Sequence, residues 1–97
     1  MNPYTDNKIT DNSFQRVFES NTDNTELVWH RDRTDRTVVI QEGQGWRLQM
    51  DNSLPQTLEP GDVVTIPANT YHRIIKGSTN LKVEITEHEP NNNQHPI

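Results

Sequence analysis

A chain of 97 residues has the length of one domain, and with 29% hydrophobic residues and a mean hydropathy of −0.98 it carries material for one small core. The net charge of −5 excludes the broadly basic face that nucleic acid requires, and no apolar run approaches the length of a membrane span. Without cysteine there is neither a disulfide nor a thiolate zinc site, so support for so small a core must come from a metal held by histidine and carboxylate, or from oligomerisation.

The first 24 residues are thick with Asn, Asp and Thr, and residues 1–25 read as a polar N-terminal segment. Phe14, Val17 and Phe18 are its apolar residues of weight; they suit an edge strand or one helical turn, and the strand is preferred. The opening residues, Met1 to Asp6, lack the basic and apolar regions of a signal peptide, which points to a soluble cytoplasmic protein. Apolar residues concentrate between Leu27 and Ile85, so 26–87 is the expected folded domain. Residues 88–97 form a polar, low-complexity tail expected to be disordered, with His88 and His95 solvated.

Within 26–87 the pattern repeats every two residues. Residues 29–32, Trp-His-Arg-Asp, read as extended, which turns His30 and Asp32 to one face and Trp29 to the other. Arg33-Thr34-Asp35 is a tight polar link. The β-branched run at 37–41 is a strand, stopped by Gly43-Gln44-Gly45. Residues 46–50 alternate, with Trp46, Leu48 and Met50 on the core side. After the turn residues Asp51-Asn52-Ser53, residues 54–58 suit a short edge strand, because Pro55 has no N–H to give a ladder. Glu59-Pro60-Gly61-Asp62 is a turn, 63–66 a strand ending at Pro67, and 71–76 another strand closed by Gly77-Ser78-Thr79-Asn80. Residues 81–85 alternate again, placing Leu81, Val83 and Ile85 inside. No helical period appears, and many short strands at this spacing predict an all-β sandwich or barrel.

Two of these segments carry chemistry. If the strand bearing His72 lies beside the segment bearing His30 and Asp32, two imidazoles and one carboxylate meet. That is the ligand set of non-haem Fe(II) facial triads, which leave coordination positions open. The alternative for each histidine is a hydrogen-bonded barrel residue, and for Asp32 an ion pair with Arg36, four residues on.

The same residues resemble the two motifs of the cupin family. In the first, His30 takes the place of the leading histidine, Asp32 the second, Arg36 the glutamate and Gly43 the closing glycine, with Asn24 where the family has its opening glycine. In the second, Gly61, Pro67 and His72 match in register, while Asn69 stands for a glycine and Lys76 for the final asparagine. The first motif is thus degenerate. The resemblance covers 26–87 and implies a jelly-roll β-barrel with a site in the barrel mouth, often in a homodimer; the outward Trp29 and Tyr71 would suit such a face.

Arg36 sets the functional alternatives. A guanidinium in place of a liganding glutamate repels a cation, by about 4 kcal/mol for two unit charges about 4 Å apart at an effective dielectric near 20. One reading is a divalent metal (Fe, Mn, Ni or Zn) on His30, Asp32 and His72, acting on or holding a small polar molecule, with no organic cofactor. The second is a metal-free module in which Arg36 binds an anionic or sugar-like ligand. The third is a structural dimeric barrel with a decayed site. No separate nucleophile or general base names a reaction.

Overall fold

The computed structural model describes residues 4–22 and 27–88. Among them there is no helix. Eight strands run β1 Tyr4–Lys8, β2 Ser13–Phe18, β3 Asp35–Glu42, β4 Arg47–Met50, β5 Gln56–Thr57, β6 Val63–Ile66, β7 His72–Ile75 and β8 Leu81–His88. They form a five-stranded sheet in the order β1-β2-β8-β3-β6 and a three-stranded sheet in the order β5-β4-β7, every pair antiparallel. The all-β architecture expected from the alternating pattern is therefore present. No helix of the described residues is long and apolar enough to cross a membrane.

The alternation dictates which face is buried. On β8, at the centre of the larger sheet, Leu81, Val83 and Ile85 are buried and their neighbours are only partly so. Val38 and Ile40 of β3, Leu48 of β4 and Trp46 just before it complete the wall between the layers. Trp46 is fully buried, and its indole N–H donates to the Thr79 carbonyl at 2.7 Å. Gly77 lies so close that a Cβ there would overlap Trp46 and the Gln44 carbonyl, so this turn admits no side chain. Ser78 N–H donates to Gln44 O at 2.9 Å and joins the same two turns.

Strand β5 is shorter than the edge strand expected over 54–58. Leu54 is exposed and Pro55 has no donor, so pairing begins only at Gln56, and the next residue after the strand, Leu58, is buried with its N–H on Trp46 O. The extended segment expected over 29–32 needs a larger correction. It is not a strand of either sheet, but touches β7 through one isolated bridge between His30 and His72.

The larger sheet reaches back beyond residue 26. Strand β2 is hydrogen-bonded between β1 and β8, which carries Phe18 into the core against Trp46. Arg16 faces inward beneath the Tyr4 ring, 3.6 Å from its centroid, and its fork closes on Asp6 at 2.7 and 2.9 Å. The hairpin thus walls one side of the interior with a neutralised arginine. Asn24 of the first motif and His95 of the tail lie outside the described residues.

Candidate metal centre

The turn between β6 and β7 positions the site. Asn69 adopts a left-handed conformation with φ of 61°, which asparagine tolerates better than most residues, and so fills the glycine position of the second motif. Its N–H donates to the Asp32 carbonyl at 2.7 Å, and Ala68 N–H donates to Asp35 Oδ1 at 2.7 Å. The chain on either side of Arg33 is thereby fastened to the turn that leads into His72. Next along the seam, His30 N–H donates to His72 O at 3.0 Å and His72 N–H to His30 O at 2.9 Å. Main-chain bonds alone therefore bring both histidines and Asp32 together.

Candidate ligand atoms of His30, Asp32 and His72 all lie within 4.8 Å of one another. The imidazole rings meet edge-on with centroids 4.3 Å apart. His72 is buried, Asp32 half-buried and His30 exposed at the cavity mouth. Each ring is oriented from behind: His30 Nδ1 lies 3.0 Å from the Val28 carbonyl and His72 Nδ1 2.8 Å from the Thr70 carbonyl. A carbonyl only accepts, so in this tautomer the proton sits on Nδ1 and Nε2 turns its lone pair inward, the orientation that backbone carbonyls impose on liganding histidines.

The consequence is a mismatch of acceptors. His72 Nε2 lies 3.3 Å from Asp32 Oδ2, yet Oδ2 is buried without a hydrogen-bond donor. A doubly protonated His72 would resolve the pair as a salt bridge, but the electrostatics oppose it. Burial, the largest influence, pushes His72 below its ordinary 6.5 despite the Thr70 carbonyl and Asp32, which favour the charged ring; nearby His30 and Arg36 add to the lowering. Two lone-pair atoms face each other, an arrangement that a bound cation would satisfy. The donor set and the orphaned carboxylate oxygen fit a metal ion on this chain's residues.

Arg36 does line the cavity, but its charge is already answered. Its Nη2 lies 2.7 Å from Glu87 Oε2 and 3.6 Å from Asp32 Oδ1, while its Nε is buried without a partner. Glu87 stands directly across the β3–β8 ladder from Arg36 and was not singled out from the sequence. Carrying the β8 alternation one step past Ile85 places it inward. Lys76 follows β7 and does not line the cavity, and His88 sits on the outer side of β8, its Nε2 2.8 Å from the Thr37 hydroxyl.

Trp29 and Tyr71 face outward, as alternation about the His30–His72 bridge requires. The Arg73 guanidinium lies 4.9 Å from the Trp29 ring centroid and that of Arg31 5.3 Å from Tyr71. Behind the centre is a cavity of about 340 Å³ between the two sheets.

No family model and no curated protein sequence matches the chain, whereas solved structures match its fold over most of its length. An RmlC-like cupin family protein with a double-stranded β-helix fold from Methanocaldococcus jannaschii superposes with a TM-score of 0.69 at 16% identity, over 90% of this chain and 81% of that one. A cupin superfamily protein from Desulfitobacterium hafniense DCB-2 gives 0.62 at 23% identity, over 89% and 76%. A DMSP lyase structure gives 0.68 at 17% identity, over 79% of this chain and only 37% of the lyase. Fold, rather than sequence, is what these proteins share with it. Its fold is thus the one seen in these cupin structures, a double-stranded β-helix.

Proposed function

We propose that the protein binds a divalent transition metal through His30, Asp32 and His72 and presents it to a small molecule in the cavity behind them. The observation that carries this reading is the pair of acceptors, His72 Nε2 and the unpartnered Asp32 Oδ2, held 3.3 Å apart by main-chain bonds. An imidazole and carboxylate set accepts iron, manganese, nickel or zinc, and a bound ion would act there as a Lewis acid or oxygen-activating centre. Val28 and Thr70 hold the rings in the liganding tautomer, and Glu87 keeps the Arg36 guanidinium from opposing the cation. Elemental analysis of purified protein should find a near-stoichiometric transition metal. Metal at a hundred times its Kd should stabilise the fold by about 2.7 kcal/mol, which raises the melting temperature of a domain this size by roughly 10–20 °C. A melt indifferent to chelator, added metal and Asp32→Asn would end the reading.

A metal-free binding module is the second reading, favoured by the buried, unpartnered Arg36 Nε. It requires the melt to rise with sugar acids or phosphorylated sugars in the presence of chelator, where the metal reading requires no response.

A further inference from the structure

The wall of the cavity and the charges at its end together specify a ligand. Behind the metal centre the lining is aliphatic: Val38, Ile40, Val64, Ile66, Ile74 and Val83 surround the space. Of the arginines that reach it, Arg16 has its fork on Asp6, and Arg36 holds Glu87 through Nη2 alone, leaving its buried Nε as a single donor at the polar end. The hydroxyl-rich outline of a sugar would meet no ring of free donors and acceptors there, and each hydroxyl buried without a partner weakens binding. An alkyl or aryl body of a few carbons suits the wall, and about 340 Å³ lies at the small end of ligand pockets.

The head group is fixed by the charge balance. Asp32, Glu87 and Arg36 leave the polar end with a net charge of −1, so an anion entering the metal-free site is repelled. A divalent ion on His30, Asp32 and His72 reverses the sign. We infer that the cavity takes a small amphipathic molecule with an apolar body and a single oxygen head group, and that it accepts a carboxylate only when the metal is bound. The second clause rests on the proposed metal site; the first does not.

Titration calorimetry of the full chain, chelator-treated and metal-loaded, against 1-butanol, 1-hexanol, hexanoate, gluconate and inorganic phosphate separates the two. In chelator the alcohols should bind, with affinity rising about fourfold per added methylene, and hexanoate should bind more weakly than 1-hexanol. Loading with metal should strengthen hexanoate by at least about tenfold, as attraction replaces repulsion, and leave the alcohol chain-length dependence in place. Val64→Phe, which adds bulk at a lining position that is not one of the proposed ligands, should remove alcohol binding while the melt still responds to metal. Alcohol affinity independent of chain length, or gluconate or phosphate binding more tightly than hexanoate to the loaded protein, overturns the inference. A protein that takes up no metal overturns the carboxylate clause together with the metal reading, and the alcohol series then decides the apolar body alone.

Discussion

His72 and His30 offer the same atom to the same place from segments of different construction. His72 opens β7, laddered to β4 from Met50 to Arg47, and is 4% exposed. His30 sits on an irregular segment with one bridge to the barrel and its ring at the open mouth. Both nevertheless have Nδ1 on the carbonyl two residues before them. Ligand orientation is thus a local, short-range device that works in strand or loop, whereas rigidity comes from the sheet. One arm is a fixed post and the other an adjustable latch, which would let the site close on an ion after it arrives.

Substitution tests that contrast directly. His72→Ala empties a buried position and leaves the Thr70 carbonyl without its donor, so the metal-free protein should lose about 1–3 kcal/mol. His30→Ala, at an exposed position, should change metal-free stability by no more than about 0.5 kcal/mol. Both variants should lose the metal-dependent rise in a thermal melt. Equal metal-free losses in chemical denaturation would break the distinction between post and latch.

A smaller effect should come from Glu87→Gln, which uncovers Arg36 beside Asp32. Removing one carboxylate charge from the rim should weaken metal binding roughly tenfold, read by competition with a chromogenic chelator. Unchanged affinity would mean that Glu87 does not screen the site.

The smallest effect is on pH dependence and concerns His72 only. Its folded-state pKa lies below 6.5, so just under that pH the unfolded chain binds more protons than the folded one. Stability of the metal-free protein should therefore fall as pH drops below about 6.5 and level off once the folded-state His72 also titrates. His72→Ala should remove that part of the slope in denaturant melts; an identical slope in the variant would assign it to other groups.

What the sequence revealed follows the same division. Leu81, Val83 and Ile85, or Trp46 and Leu48, each report burial through a period that holds wherever a strand has one wet and one dry face. Pro67 to His72 was readable because turn residues and a strand start fall in order. Residues 29–32 share the alternating composition, yet the chain leaves the sheet direction there: the Asp32 carbonyl is taken by Asn69 N–H instead of a ladder partner. Composition cannot report which donor claims a carbonyl. The pairing of Arg36 with Glu87 was hidden for another reason. It depends on a register across 51 residues and through a strand irregularity between Ile40 and Glu42, which no local pattern encodes.

The two reciprocal bonds between the His30 and His72 main chains make the candidate ligands part of the barrel's own seam. An ion gripped by both rings would rivet that seam, since parting the side chains far enough to free it strains the amides that join them. Release would then begin where the seam gives first, on the His30 side, which has one bridge and no ladder behind it, while the His72 side stays fixed. Deuterium uptake at just these two amides would report how tightly the rivet is set.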